Sequence, residues 1–591
     1  IHEREASETE ARMKDMHRSE TRENGESEGK DQPEGRPGMI TRSGRQLPAR
    51  GYYATTPFEE ALQARDDAEL LQEEIPMNET LSEAFIKNMS KSQKEKWASA
   101  ITKELNAISK SIRKTTREER RQASSLVKTK LLLSMKYYPE KNEVIEKARF
   151  VLAGCSQTLG EDYGYTYSPV VRFTTWRCLM VTAARNRWMV EQMDVPTAYL
   201  KAELSDDVYI RIPAYWNDYM PSYYCSGEIV KVVNAIYGLK QSGREWNHLL
   251  DKDLRRMGFQ VCVMDACLYQ AEDGNTFIMV YVDDLFITGP DRGKVMQAKD
   301  KLKELYQAKD IGKPRQALGM QVRYEGDVAI LSQEKAIEKL DRDAMSNKGA
   351  RTPMDSGYVN ADRGKMTKFE NVTTYRSKIG SLMFIACNTR PDIAQAVCYL
   401  SRFNHQPTTA DHRAVNRVIN YLWETKTKGI RLECDREQCI EIYCDSSYGD
   451  CRESGKSTYG YIIFVGGAAV SWTSKRTKMV CTSTLEAELE ATVQGLKEGL
   501  YVWGVIGVLT GARVSVTLYN DNLGLVKAVN EGKVIERTRP FRVKYYYLRE
   551  ELIKHGIKFE HVSSEDNIAD GLTKPLGPTL FMRNREMMKV G

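Results

Sequence analysis

Hydrophobic positions fall very unevenly along this chain. Residues 1–46 contain no Leu, Val or aromatic side chain, and the first aromatic is Tyr52. Such a segment cannot bury enough apolar surface to offset its ordering entropy, so the polar and basic tail 1–85 is predicted to be disordered. From about Trp97 the pattern becomes globular. Trp97, Ile101, Leu105 and Ile108 share one stripe of a predicted helix within Lys96–Lys110. Ser125–Gly154 reads as a basic β-hairpin turning around Pro139–Asn142. Strands and helices alternate between Val181 and Leu305, as in an α/β or α+β unit. Within it, FIMVYVDDLFITG (Phe277–Gly289) splits into two apolar half-strands with Asp283 and Asp284 at the tip of a hairpin, where Asp tolerates unusual turn dihedrals.

Gly349–Gly364 is polar and turn-rich and marks a boundary, Tyr375–Leu422 has the periodicity of a helical connector, and a second α/β unit runs from about Gln438 to Leu576. There, Cys439–Asp450 is an alternating strand and Ser454–Lys478 a β-meander turning at Gly466–Gly467. Thr482–Trp503 is an amphipathic helix with Leu485, Leu489, Val493, Leu496, Leu500 and Trp503 on its apolar stripe. Val514–Asn522 alternates again, and Ser563–Leu576 supplies a final short helix. These shifts divide the chain into 1–85, 95–345, 346–436 and 437–580, with no internal repeat.

Composition changes this picture little. At 591 residues the chain exceeds one ordinary core. A net charge of +6 does not by itself announce nucleic acid. The twelve cysteines show no CxxC spacing, and the densest group (Cys434, Cys439, Cys444, Cys451) matches no zinc signature, so free thiols in a reducing compartment are expected. No apolar run reaches membrane-spanning length, and the N-terminal stretch given has no signal-peptide core. A start at Ile1 suggests a piece of a polyprotein.

For a lone Asp-Asp pair, an exposed hairpin tip is the ordinary reading, but it leaves the strongly apolar flanks unexplained. A divalent cation cancels the repulsion between carboxylates, and a hard-oxygen cluster suits Mg2+. Phosphoryl transfer uses such ions at the attacking and leaving oxygens. Asp194, which follows an apolar strand and precedes Pro196, is the candidate third carboxylate.

QMDVPTAYLKAEL (Gln192–Leu204), AIYGLKQSGREWNHLL (Ala235–Leu250) and YVDDL (Tyr281–Leu285) stand in the order found in reverse transcriptases of Copia-type LTR retrotransposons. Lys147–Ala184 and Tyr375–Phe403 resemble the same family, and the likeness spans about Trp97 to Leu576. It implies an α+β multidomain fold: a right-hand polymerase with fingers, palm and thumb, then a helical connection and an RNase H-like α/β domain. Asp194, Asp283 and Asp284 match its polymerase metal carboxylates. Tyr199 falls at the aromatic steric gate beneath the incoming sugar, with packing in the palm core as its bland alternative, and Gln241 lines the nucleotide pocket. Lys136, Lys147 and Arg149 resemble triphosphate-neutralising fingers residues, although basic hairpins are usually just solvated. The chain departs from the family where QSGREW replaces a Gln-Ala-Pro-Arg-Ala-Trp type of run and Pro196 replaces a common Lys.

In the second unit, Asp445 lies near a strand end, Glu488 beside the helix stripe, Asp521 at the next strand end and Asp570 on the last short helix. Acids in this order resemble RNase H, which Copia-type polyproteins carry after the polymerase. Glu488-Leu489-Glu490-Ala491 matches the family's E-L-x-A pattern, with Glu486 as the alternative. His561 is expected to pack with Ile557 and Phe559, not to act in catalysis; His405 and His412 are expected to be structural. Lys475, Arg476 and Lys478 beside Trp472 suit either an RNA–DNA hybrid contact or a solvated strand edge.

The resemblance thus implies an RNA- and DNA-dependent DNA polymerase with RNase H, using two Mg2+ per site (Mn2+ as substitute). Its partners would be RNA template, DNA primer, RNA–DNA hybrid and dNTPs, with integrase or capsid protein of the same element as further ones, and no membrane. It would work in the cytoplasm within virus-like particles, with nuclear entry of the complex. A degenerate, non-catalytic nucleic-acid-binding copy is the alternative. The tail has the position of an integrase C-terminal remnant, but no zinc-binding set or integrase core accompanies it, so integration is not expected from this chain alone.

Overall fold

The computed structural model describes residues 75–76, 90–123, 125–138, 143–220, 223–342, 349–359, 366–532 and 541–591. Almost all of the predicted disordered tail lies outside them, as does the hairpin turn 139–142. Ile75–Pro76 is the exception, a two-residue strand paired with Ser134 and Met135. The chain is a mixed α/β protein with five sheets among the described residues.

Helix α1 (Lys91–Ser109) buries the predicted stripe of Trp97, Ile101, Leu105 and Ile108. Its partner is the hairpin of β1 (Thr129–Tyr138) and β2 (Glu143–Leu152), through Leu131, Leu133, Phe150 and Leu152. In that hairpin Lys147 stands opposite Ser134 and Arg149 opposite Leu132. Two residues apart on a strand, they share one face.

Helix α2 (Phe173–Arg185) leads into β3 (Met189–Asp194), the second strand of a six-stranded antiparallel sheet. Next come β4 (Glu203–Arg211) and β5 (Ile229–Asn234), which pair in a separate sheet, and helix α3 (Ser242–Arg256). The central hairpin is β6 (Phe277–Tyr281) and β7 (Asp284–Gly289). β7 pairs with β3, and β8 (Lys309–Gly312) covers the far edge of β3. Residues Ile278–Val280 and Leu285–Ile287 are all buried, which accounts for the apolar flanks of the paired aspartates.

Downstream, helix α4 (Val372–Asn388) begins the predicted helical stretch, followed by helices Ala394–Ser401 and Thr409–Glu424. The last unit is a five-stranded sheet in the order β11-β10-β9-β12-β13, with β9 Cys439–Ser447, β10 Thr458–Val465, β11 Ala468–Arg476, β12 Ser515–Asn520 and β13 Lys558–His561. The three meander strands are antiparallel, whereas β12 and β13 run parallel to β9. Helix α5 (Thr484–Thr510) crosses this sheet and runs seven residues past the predicted end at Trp503, to a left-handed Gly511 cap. It lies unusually close to β9: a Cβ at Gly495 would stand 2.4 Å from the Cys444 sulfur, and one at Gly499 would stand 2.2 Å from Ile442 Cδ1.

One hydrophobic core runs from Val171 to Val590, so α2 packs among elements far downstream of it. Every residue of α2 from Thr174 to Ala183 is buried. At its centre Arg177 donates from Nε to the Val470 carbonyl (2.6 Å) and from Nη1 to that of Asn388 (3.0 Å), with its guanidinium 4.2 Å from the Trp472 ring. Trp472 Nε1 in turn donates to the Ala386 carbonyl at 2.8 Å. A cation and an indole N–H thus satisfy the terminal carbonyls of α4, the negative end of its dipole. Trp472 is a buried piece of this junction and does not stand with Lys475, Arg476 and Lys478, which are exposed.

Candidate active sites

The first acidic centre is built by strand register. Asp194, the last residue of β3, stands directly opposite Asp284, the first of β7. Val195 N–H donates to the Asp283 carbonyl at 2.9 Å, tying the hairpin tip to the neighbouring strand. The tip is a two-residue turn whose first central residue, Val282, adopts φ +54°. It is therefore Val282 and not an aspartate that takes the unusual dihedral, a strained choice for a β-branched residue. Trp246 Nε1 donates to the Val282 carbonyl at 2.7 Å and holds the turn from beneath.

Burial, and then the charge of Asp194, push the Asp283 carboxyl up to about 6, while Arg149 and Lys147 oppose the rise. The shared face of the basic hairpin thus lies within electrostatic reach of the acids. Asp194 has Lys309 Nζ at 3.5 Å, and Asp284 accepts from Gln192 Nε2 at 2.8 Å. Lys136 has a described backbone position in β1, opposite Ile145; its side chain lies outside the described structure. Tyr199 is buried, with its ring 5.0 Å from that of Tyr237. Tyr237, which the sequence reading passed over, lies beneath Arg149 at 5.9 Å and feels the charge of Asp283. A cavity of about 370 Å³ opens beside Tyr199 and Val282, walled by Tyr163, Lys240 and Trp246. Gln241 is not in its lining. The fully buried amide accepts from Gln157 Nε2 at 3.0 Å and donates to the Asp162 carbonyl at 2.9 Å, bracing a loop.

The second centre is tighter. Carboxylate oxygens of Asp445 (β9), Glu488 (α5) and Asp521 (after β12) all lie within 4.8 Å of one another. Among the described residues this is the one such group of three. Glu488 accepts from Ser446 Oγ at 2.7 Å and from Asn520 Nδ2 at 3.0 Å, and Asp521 accepts from Ser564 Oγ at 2.9 Å. Asp570 closes the site from the short helix Ile568–Leu572, with Lys574 Nζ at 3.0 Å. Thr573 Oγ1 donates to Asp445. Glu486 is elsewhere: it takes the Thr482 N–H and hydroxyl (2.7 and 2.9 Å) at the start of α5.

Burial raises the carboxyl groups here: Asp445 well above its usual range, with Glu488 and Asp570 adding to it, and Glu488 up to about 7. Asp570 is also raised by burial, against the pull of Lys574. The donor set is all hard oxygen, and the buried Asp570 Oδ1 has no hydrogen-bond donor. Both observations fit a divalent ion. His561 corrects the expectation of a packed side chain: Ile557 and Phe559 are buried, but His561 is exposed as the last residue of β13, the edge strand of the sheet, and its Nε2 lies 3.1 Å from the Asp521 carbonyl oxygen. His412 stacks on Phe369 at 4.2 Å, and His405 Nδ1 lies 3.4 Å from Arg376 Nη2.

Known proteins give this chain a family. The family described as reverse transcriptase (RNA-dependent DNA polymerase) matches residues 125–356. The retrovirus-related Pol polyprotein from transposon RE1 of Arabidopsis thaliana is 32% identical over 465 residues, 77% of this chain and 31% of its own length. The putative transposon Ty5-1 protein of Saccharomyces cerevisiae is 30% identical over 303 residues, 50% of this chain and 96% of its own. This chain belongs to the Pol polyprotein family of Copia-type retrotransposons. It spans about a third of the length of the longer polyproteins it matches, 30 to 34%. A solved RNase H1 bound to an RNA/DNA hybrid aligns with 23% of this chain and 93% of its own at 20% identity, with a TM-score of 0.19, too low to bear on the fold. Among the described residues no helix is long and apolar enough to cross a membrane.

Proposed function

We propose that this chain copies RNA and DNA templates into DNA and removes the copied RNA by RNase H hydrolysis. The observation that carries the proposal is the presence of two separate acidic centres on one polypeptide of this family. Asp194, Asp283 and Asp284 would hold Mg2+, or Mn2+, at the first; Asp445, Glu488, Asp521 and Asp570 would do so at the second. When bound, the ions neutralise charge on the attacking and leaving oxygens of an in-line displacement.

The chain's own side chains supply the rest. Lys147 and Arg149 offset the charge of a dNTP triphosphate, a role that the family resemblance extends to Lys136. Tyr199 crowds a 2′-hydroxyl and so favours deoxynucleotides, while Gln241 acts indirectly, by bracing the loop beside the pocket. Lys475, Arg476 and Lys478 meet hybrid phosphates at an exposed strand end. In this reading, residues 95–345 are fingers, palm and thumb, 346–436 the connection and 437–580 the RNase H unit. Template, primer, hybrid and dNTPs are the partners, and the site of action is a virus-like particle in the cytoplasm.

Primer extension on poly-rA with Mg2+ tests the first centre: the wild type extends and Asp283→Asn does not. Absence of extension by the wild type overturns the polymerase assignment. At the second centre, hybrid cleavage that survives Asp445→Asn overturns the RNase H assignment.

A further inference from the structure

The acids of the second centre do not share one electrostatic environment. Asp445, Glu488 and Asp521 converge, and among the described residues no Lys, Arg or His forms an ion pair with Glu488 or Asp521. The side between Asp445 and Asp570 differs. Lys574 Nζ lies 3.0 Å from Asp570 Oδ2 and 4.0 Å from Asp445 Oδ2, so one ammonium spans both carboxylates.

Local geometry fixes that placement. The Lys574 N–H donates to the Asp570 carbonyl at 3.1 Å, continuing the turn that carries Asp570, and Thr573 Oγ1 of the same turn donates to Asp445. The turn settles on the sheet because Gly460, opposite Asp445 in β10, has no side chain; a Cβ there would stand 2.7 Å from that of Leu572. The Lys574 side chain keeps 43% of its surface exposed, so it has room to swing outward.

We propose that Lys574 is a positioning residue that makes the two ion positions of this centre unequal. This rests on the RNase H reading above. A divalent ion entering among Asp445, Glu488 and Asp521 meets Lys574 only at the Asp445 edge, 4.0 Å from Oδ2, and, among the described residues, no ion pair at Glu488 or Asp521. An ion entering between Asp445 and Asp570 must displace the tethered ammonium. The first position fills at low ion concentration, and the second fills only when the ion outcompetes Lys574. A unit charge 3.0 Å from one partner and 4.0 Å from the other, at a half-exposed site, is worth about tenfold in affinity.

Mn2+ titration of the full chain, free of nucleic acid, followed by calorimetry and by loss of the free-ion EPR signal, tests this without reference to turnover. With Asp283→Asn and Asp284→Asn silencing the first centre in every protein titrated, the chain with an otherwise unchanged second centre, called wild type here, is expected to bind one ion tightly and a second at least tenfold more weakly. In Lys574→Gln the second affinity rises about tenfold while the first stays within twofold; Lys574→Arg keeps the wild-type separation. Identical isotherms for the wild type and Lys574→Gln overturn the proposal, as does an equal gain at both positions, which would mark a general charge effect. A wild type that binds no Mn2+ at this centre removes the RNase H reading and this inference with it. In that case Asp445→Asn and the wild type titrate alike.

Discussion

Glu488→Gln should make the metal-free protein more stable at alkaline pH while removing hybrid cleavage. Burial lifts the Glu488 carboxyl from 4.5 to about 7, against the help of Asn520 and Ser446. Since the folded value lies above the unfolded one, this group's contribution to stability is fully present below pH 4.5. It is lost as pH rises through 7. The difference corresponds to about 3 kcal/mol above pH 7. A glutamine removes the charge but not the need for partners. Ser446 Oγ and Asn520 Nδ2 both donate to the carboxylate, whereas an amide offers a single acceptor oxygen. The Ser446 hydroxyl can rotate to accept from the new NH2, so a net gain of about 2 kcal/mol remains. Spread over a core that runs from Val171 to Val590, that is a midpoint only a few degrees higher. Thermal unfolding with EDTA at pH 5 and pH 8 measures it: the wild type should lose stability between the two values and the variant should lose less. Mg2+ at pH 8 should close the gap by stabilising the wild type more than the variant. Parallel losses in the two proteins would refute the reasoning, because the cost would then not be burial of an ionised Glu488.

Three further outcomes follow from the same structure. Primer extension should fall as pH drops through about 6, where Asp283 takes up a proton, and Lys147→Ala should move that acid limb upward because Lys147 holds the Asp283 carboxyl down; a pH–rate profile of both proteins reads this. Arg177→Met should destabilise by about 3 kcal/mol, since it strands the carbonyls of Val470 and Asn388 in a buried junction, and urea unfolding should show it in the α4 and β11 regions together. Val282→Gly should relieve a φ of +54° and gain about 1 kcal/mol in stability while primer extension falls, because the freed turn no longer fixes Asp283 and Asp284.

Local pattern carried much of this molecule, and long-range packing carried the remainder. The α1 stripe, the basic hairpin and the apolar strands around Asp283 were legible because each follows a short period set by burial on one face. Asp194 was legible as a candidate from its strand-end position, although its register opposite Asp284 is a property of the sheet. Choosing Glu488 over Glu486 rested on a family pattern; the physical reason appears only when Ser446 and Asn520 from two strands meet it, while Glu486 turns back to Thr482. Trp472 stands close in sequence to Lys475, Arg476 and Lys478, which suggested a hybrid contact or a solvated strand edge for the whole group. Its real partners, Ala386 and Arg177, lie far away in sequence, and nothing local announces them. Arg177 is the sharpest case: within FTTWRCLMVTAAR it is a charged residue in the middle of an apolar helix, where a solvent-facing position is the ordinary expectation. Its burial makes sense only once the end of α4 and the edge of β11 present their carbonyls to it, which places both acidic centres on elements that share one core.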